Sequence, residues 1–253
     1  MKKIILIVLM SGLLLPVVSL SQNLSAIEII KKADDKTRGL SSEGEMTMTI
    51  IRTGWKRSLT MKYWSKGTTH AMIYISAPAK DKGQVFLKIK NEMWNWQPKI
   101  QRMIKIPGSM MMQSWMGSDF TNDDLVSQSS IVTDYTHKLL GTEVVRGMDC
   151  YKIELVPKET ATVVWGKLIM WITKSGFHMW KTEYYDEDGI MVNTENAYDI
   201  KKMGDREIPT RMEIIPQEKE KQGQKTVLEI TKMVYNVRIG DDFFTQQNMK
   251  QVK

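Results

Sequence analysis

Apolar and polar residues alternate along most of the chain, and this period of two predicts β-strands. A strand with strict alternation has one dry face and one wet face. The clearest short strands are predicted at 46–50, 59–63, 85–89 and 151–155. Another strand is predicted at 100–106, and longer ones at 163–173, 177–186, 208–216 and 226–238.

Glycine-containing turn dipeptides separate these strands at hairpin distances. They are Lys66-Gly67, Arg146-Gly147, Ser175-Gly176, Asp188-Gly189 and Gln222-Gly223. Long consecutive antiparallel strands joined by tight turns form a strongly curled sheet or an up-and-down barrel. The pattern therefore predicts a mainly β fold in a single domain, because no Pro- or Ser-rich linker interrupts it.

One long helix is predicted near the start of the chain. Ser25 is a suitable N-cap, and the apolar residues after it recur near helical spacing until Gly39, which is a typical stop signal.

The segment 107–125 breaks the alternation and is rich in methionine. If its first part is helical, Met112, Trp115 and Met116 share one face. A second helix is predicted to begin at Asp119 or Thr121, whose side chains suit a cap, with acidic residues in its first turn. Because an apolar insertion between strands must be covered, we expect this segment to pack on the concave side of the sheet as a plug or lid.

The first residues resemble a secretory signal peptide. Lys2 and Lys3 precede an apolar run at 4–15, and small residues follow, so cleavage is expected before Gln22. The apolar run is short for a membrane span, and a retained anchor is the less favoured alternative. This divides the chain into a signal peptide at 1–21 and one domain at 22–253. The single cysteine, Cys150, forms no internal disulfide and is expected to be buried.

The chemistry encoded by the chain favours binding over catalysis. No metal-ligand spacing, nucleophile motif or phosphate loop occurs, so no cofactor or metal is expected. The net charge of +7 is dispersed, and nucleic acid is not expected as a partner of an exported protein. The chain instead has 20 Met and 8 Trp, soft or large apolar groups that suit either a packed core or a lining for acyl chains. Trp94 and Trp96 are predicted to share one face, as are Trp165 and Trp171.

Several motifs occur in an order that resembles the LolA-like outer-membrane lipoprotein-sorting family. The most specific runs from Trp115-Met116-Gly117-Ser118-Asp119-Phe120 to Asp124-Leu125, and others include Trp94-x-Trp96-x-Pro98 and the closing Asp242-Phe243-Phe244-Thr245. The resemblance implies an incomplete antiparallel β-barrel with an N-terminal helix and a helical plug over an apolar cavity. It also implies periplasmic binding of lipoprotein acyl chains or other lipids. In that family an arginine ties the lid shut, and Arg52 and Arg57 are the candidates by location.

We therefore expect a non-enzymatic periplasmic carrier that transfers lipoprotein acyl chains or lipids toward the outer membrane, between an inner-membrane transporter and an outer-membrane acceptor. The alternatives are an accessory periplasmic subunit of an RND-type or other envelope transporter, and a lipid hydrolase. The predicted ligand-binding residues are Met46, Met48, Ile50, Leu59, Met61, Tyr63, Val85, Leu87, Trp94, Trp96, Met112, Trp115, Met116 and Phe120.

Overall fold

The computed structural model describes residues 24–127, 130–161 and 163–253. The predicted signal peptide at 1–21 lies outside the described residues.

The described chain consists mainly of one antiparallel sheet that does not close into a barrel, as predicted. Its strands are β1 (Ser41–Arg52), β2 (Trp55–Lys66), β3 (His70–Ala77), β4 (Val85–Ile89), β5 (Glu92–Gln97), β6 (Arg102–Ile106), β7 (Tyr135–Val145), β8 (Met148–Pro157), β9 (Lys167–Thr173), β10 (Met179–Tyr185), β11 (Met191–Met203), β12 (Arg206–Pro216) and β13 (Lys225–Tyr235). The spatial order is β6-β5-β4-β3-β2-β1-β13-β12-β11-β10-β9-β8-β7. The pairing of β1 with β13 joins two series of sequential strands, and β6 and β7 are left as the edges.

The predicted helix is confirmed as α1 (Ala26–Arg38). The Ser25 hydroxyl accepts from the Glu28 backbone N–H, and the Glu28 carboxylate accepts from the Ser25 N–H, so the N-terminus carries a complete capping box. Gly39 ends the helix at a φ of 65°. Ile29 and Ile30 are fully buried in an apolar cluster that includes side chains of β8 and β9, and each contributes about 1.5–3 kcal/mol by leaving water.

Turn chemistry explains the hairpins. Between β7 and β8, Arg146 and Gly147 both have positive φ, at 47° and 79°. Two successive positive φ values match the right-handed twist of the flanking strands, and glycine adopts such values without steric cost.

The sheet buries residues on both faces. One face, concave, carries α1 and two apolar clusters that include Met48, Leu59, Ile153 and Leu168. On the opposite, convex face, the C-terminal residues Phe244 and Met249 pack over β3 and β4. Cys150 is buried on this convex face as well, in a separate cluster with Trp171 and Trp180.

The strand predicted at 163–173 is shorter than expected, because β9 begins only at Lys167. Trp165 therefore lies outside the strand and packs with the concave cluster, whereas Trp171 packs on the convex face. The prediction that these two rings share one face is wrong.

The segment 107–127, hereafter the lid, follows the edge strand β6 and is not one continuous helix. It contains a short 3₁₀ turn at Gly108–Met110 and a wide helical turn at Asp123–Ser127. Between them the chain reverses, and Ser114 pairs with Thr121 in an antiparallel bridge. The reversal passes through Met116 and Gly117, whose φ values of 52° and 82° are incompatible with a helix. The expected helical face of Met112, Trp115 and Met116 is therefore absent, and Met112 is 59% exposed.

A candidate ligand cavity beneath a latched lid

Trp115 anchors the lid in the concave core. Its side chain is fully buried, and its ring centroid lies 5.1 Å from that of Phe86 on β4. The Trp115 backbone N–H donates to the Phe120 carbonyl at 2.8 Å, which closes the loop of the lid. Phe120 is itself buried in the same cluster. The lid is thus held by apolar contacts at its centre.

An arginine from the sheet also holds the lid. Arg52, the last residue of β1, donates from Nη1 to Asp119 Oδ2 at 2.9 Å and from Nη2 to Asp119 Oδ1 at 3.0 Å. Its Nη2 also donates to the Gly117 carbonyl. On β13, the Thr226 hydroxyl donates to Asp119 Oδ2 and accepts from the Asp119 backbone N–H. Asp119 therefore binds β1 and β13 at the point where the two halves of the sheet meet.

Arg57 makes a second, weaker link to the lid. It donates to the Met116 carbonyl at 3.4 Å and forms an ion pair with Asp81 at 2.7 Å. Both arginines that the sequence marked as candidates thus contact the lid, and Arg52 makes the bidentate contact.

The wide helical turn of the lid is capped by Thr121. The Thr121 hydroxyl accepts from the Asp124 N–H at 3.0 Å, and the Asp124 carboxylate accepts from the Thr121 N–H at 2.8 Å. Of the two predicted N-caps, Thr121 is therefore the one that caps this turn. The Asp119 side chain instead accepts hydrogen bonds from Arg52. Asp124 also accepts from Trp165 Nε1 at 3.0 Å, which connects the lid to the segment before β9.

A cavity of about 290 Å³ lies between the lid, α1 and the concave face of the sheet. This is close to the lower limit of the roughly 300–1,000 Å³ typical of ligand pockets. Its wall is mostly apolar. The apolar and aromatic residues that line it are Met46, Tyr63, Ile73, Phe120, Leu125, Ile131, Tyr135, Trp165, Leu168, Met170, Met179, Ile208, Met212, Leu228, Ile230, Met233 and Tyr235.

One part of the cavity wall is polar and acidic. Tyr184 on β10 donates its hydroxyl to Glu195 Oε2 on β11 at 2.7 Å, and both side chains line the cavity together with Asp124. Burial raises the pKa of Glu195, and the nearby Asp124 charge raises it further. Burial likewise raises the pKa of Asp124, although the hydrogen bond from Trp165 acts in the opposite direction. The pKa of Tyr184 is raised well above its ordinary value, mainly by burial.

The cavity wall also includes the charged residues Asp34, Arg38 and Asp123. Asp34 and Arg38 form an ion pair on one face of α1, at 2.8 Å. Lys88 on β4 donates to the Thr68 carbonyl, and burial lowers its pKa to about 8 while the charge of Asp123 acts to raise it.

The predicted ligand-binding residues are divided among three locations. Met46, Tyr63 and Phe120 line the cavity. A second group lies in the packed core beside the cavity and consists of Met48, Ile50, Leu59, Met61, Trp115 and Met116. Met116 is the partly buried member of this group. For all of them a role in binding stays a prediction.

A third group lies away from the cavity. Val85 and Leu87 were expected on the concave face, but they pack on the convex face beneath the C-terminal residues, with Trp94 and Trp96 against them. Alternation explains this placement, because Phe86 between them faces the concave core. Trp94 and Trp96 do share a face, as predicted, but it is the convex one. Met112 is exposed because the lid reverses direction close to it.

Sequence reasoning missed the polar part of the wall. Glu195 and Tyr184 lie on strands whose sequences show no motif that would indicate a binding site. A β-bulge between Met179 and Lys181 changes the register against β9, so the face on which Tyr184 lies cannot be read from simple alternation. Asp124 was assigned to a helix cap alone. It fills that role and also lines the cavity.

Over the described ranges, no helix is long and apolar enough to cross a membrane, and no group of three or more His, Cys, Asp or Glu side chains is placed to hold a metal ion.

The unclosed antiparallel sheet with one N-terminal helix is a LolA-like fold. A DUF1329 family protein from Desulfovibrio piger is 24% identical, with a TM-score of 0.78 over 88% of this chain and 97% of that chain. A LolA superfamily protein from Nitrosomonas europaea is 22% identical, with a TM-score of 0.76 over 89% and 99%. A domain from Vibrio parahaemolyticus, described provisionally as outer membrane lipoprotein-sorting, is 20% identical, with a TM-score of 0.79 over 89% and 98%. Identities this low show the fold alone.

A family model described as "Uncharacterized protein" matches residues 67–251, and the chain belongs to that family. No curated protein matches the sequence. The fold is therefore LolA-like.

Proposed function

We propose that this protein is a non-enzymatic carrier that binds an acyl chain in the cavity beneath the lid. The observation that carries the proposal is the cavity of about 290 Å³, whose wall is largely apolar and rich in methionine. An unbranched thioether side chain changes conformation easily, so such a wall adapts to chains of different shape. Apolar concavities with few polar groups are the usual form of small-molecule sites.

The lid supplies a route for loading and release in this proposal. It is held by the Arg52–Asp119 pair and by Trp115, and it covers the cavity without being a strand of the sheet. Opening requires the ion pair to break and Trp115 to leave its pocket. A partner that competes for Arg52 or Asp119 would favour the open state, since a ligand shifts an equilibrium only through its different affinities for the two states.

The cellular setting is part of the same proposal. The N-terminal sequence resembles a signal peptide, and the fold is shared with a domain described as lipoprotein-sorting. These observations support a periplasmic carrier of lipoprotein acyl chains or other lipids, working toward the outer membrane between a donor and an acceptor.

The test is displacement of an apolar fluorescent probe, N-phenyl-1-naphthylamine, by dodecanol. Wild-type protein is compared with Met46→Asp, which places a carboxylate in the apolar wall, and with Glu45→Asp, a control on the adjacent residue that is exposed. The proposal predicts saturable binding that Met46→Asp abolishes and Glu45→Asp retains. Absence of saturable binding to folded wild-type protein would contradict it. Burial of an unpaired charge costs several kcal/mol, so folding of Met46→Asp is checked by circular dichroism, and Met46→Ala replaces it if it is unfolded.

One observation favours the alternative of an accessory transporter subunit. The edge strand β7 exposes Leu139, Leu140 and Val144, the last at 64%. An exposed apolar edge strand is a typical site for pairing with another chain. In that case Val144→Lys would abolish association with an envelope protein while leaving probe binding unchanged. A pull-down that compares wild-type protein with Val144→Lys distinguishes the two functions.

A further inference from the structure

We infer that the cavity selects an amphiphile whose polar head is a protonated amine, held by Asp124 and Glu195, and that it rejects anionic heads. This inference deepens the proposed carrier function and rests on it. It concerns the polar end of the ligand, which an apolar wall alone does not specify.

The first step is the position of the two carboxylates. Glu195 lies directly across from Thr182 in the register of β10 and β11, and Tyr184 is its diagonal neighbour on the same face. The Trp165 ring lies 5.0 Å from the Tyr184 ring and donates to Asp124. The two carboxylates therefore belong to one continuous patch of the wall, although one comes from the sheet and the other from the lid.

The second step is the nature of their hydrogen-bond partners. Glu195 accepts from a tyrosine hydroxyl, and Asp124 accepts from an indole N–H and a backbone N–H. Among the residues the structure describes, no ion pair includes Asp124 or Glu195. By contrast, Asp34 is paired with Arg38 in the same cavity. The patch thus presents two acidic groups whose ionised forms are stabilised by neutral hydrogen-bond donors.

The third step is what this charge does to a bound head group. A carboxylate or phosphate head would add a further negative charge to a site with little access to water, where charges are weakly screened. A primary ammonium donates three hydrogen bonds and carries the complementary charge. The apolar part of the wall then accommodates the attached hydrocarbon chain. Both a simple long-chain amine and an ethanolamine-bearing lipid supply this head.

The molecule contains a matched control for the patch. On β10, Tyr185 donates its hydroxyl to Glu183 at 2.8 Å, a tyrosine–carboxylate hydrogen bond like that of Tyr184 and Glu195 but within one strand. Glu183, however, does not line the cavity and is paired with Lys181 at 2.7 Å. Replacing Glu183 therefore removes an equivalent tyrosine-bonded carboxylate without changing the cavity.

The experiment measures dissociation constants of dodecylamine, dodecanol and dodecanoate at neutral pH and low ionic strength, by displacement of N-phenyl-1-naphthylamine. Wild-type protein is expected to bind the amine about tenfold or more tighter than the carboxylate, as a hydrogen bond to a charged group predicts. Glu195→Gln and Asp124→Asn should each reduce this preference severalfold, and Glu183→Gln should preserve it. Lysophosphatidylethanolamine, compared with lysophosphatidylglycerol, then shows whether the amine is recognised when a phosphate is present.

Equal affinities for amine and carboxylate would overturn the inference, as would an alcohol that binds as tightly as the amine. Retention of the full preference in both Glu195→Gln and Asp124→Asn would overturn it too. If all chains bind without preference, the carrier proposal stands and only the head-group inference fails. If none binds, the carrier proposal itself fails. Because Gln and Asn are isosteric with the replaced acids, the variants are expected to fold, and Tyr184→Phe offers a second probe of the patch.

Discussion

Arg52 and Asp119 form a two-point ion pair between the end of β1 and the lid, with both side chains largely buried, at 14% and 6% exposure. The pair lies where β1 meets β13, and Thr226 of β13 binds the same carboxylate. A planar guanidinium that binds both oxygens of a carboxylate fixes orientation as well as distance. The closed lid is therefore held at a defined position on the sheet.

Arg52→Ala should open the lid and destabilise the protein. Removing one partner of a buried ion pair leaves an uncompensated charge, which costs roughly 3–5 kcal/mol. We expect a lower free energy of unfolding in urea and faster proteolytic cleavage within residues 107–127. Lys66→Ala is the control, because the exposed Lys66–Asp241 pair should contribute no more than about 1 kcal/mol. Equal losses in the two variants would show that Arg52 does not hold the lid.

Met46 and Met61 lie opposite each other on β1 and β2 but should respond differently to truncation. Met61 is fully buried in the packed core, so Met61→Ala should lower the free energy of unfolding by about 2–5 kcal/mol. Met46 lines the cavity, so Met46→Ala should weaken probe binding more than Met61→Ala does. Unfolding and probe titration of both variants provide the comparison, and a larger loss of affinity in Met61→Ala would contradict the assigned lining.

Ile30 and Ile27 provide an internal comparison within α1. Ile30 is fully buried against the strands, whereas Ile27 is 39% exposed. We expect Ile30→Ala to destabilise the fold by about 2–5 kcal/mol, and Ile27→Ala to change stability by about 0.5 kcal/mol or less. Thermal and urea unfolding measure both. Similar losses at the two positions would mean that α1 docks with a different face.

The pH dependence of stability should reveal the buried acid at Glu195. Its pKa in the folded protein lies above its ordinary value of 4.5, so the folded state binds this proton more tightly than the unfolded state. Stability contributed by the group is present below 4.5 and is lost as pH rises through the folded pKa. Glu195→Gln cannot ionise, and its free energy of unfolding relative to wild type should increase from pH 4 toward neutral. A difference that does not change with pH, or decreases, would contradict the assigned environment.

The sequence predicted the architecture because its local patterns agree with its long-range packing. Alternation located most strands, glycine dipeptides located the hairpins, and Ser25 with Gly39 bounded α1. These features depend on residues that are close in sequence, so they can be predicted without knowledge of the tertiary structure. Arg52 and Arg57 were candidates for a lid contact by location only, and both contact the lid.

Predictions of the site were less complete because they depend on which face is concave. Alternation shows that Val85 and Leu87 share a face, but it does not show that the C-terminal residues cover that face. The reversal at Met116 and Gly117 depends on backbone angles that a methionine-rich segment does not reveal. Glu195 and Asp124 are distant in sequence, and only the closing of the lid over β11 brings them to one cavity.

The central claim, that this protein carries an acyl chain in its cavity, is tested most directly by native mass spectrometry of protein purified from the cell envelope without detergent. For wild-type protein we predict a population whose mass exceeds that of the polypeptide by one lipid. The same population should be present in Glu45→Asp and missing from Met46→Asp. Lipid extraction of the same sample should identify an amine-bearing amphiphile. Wild-type protein that remains at the polypeptide mass after purification, and after incubation with envelope lipids, would contradict the claim.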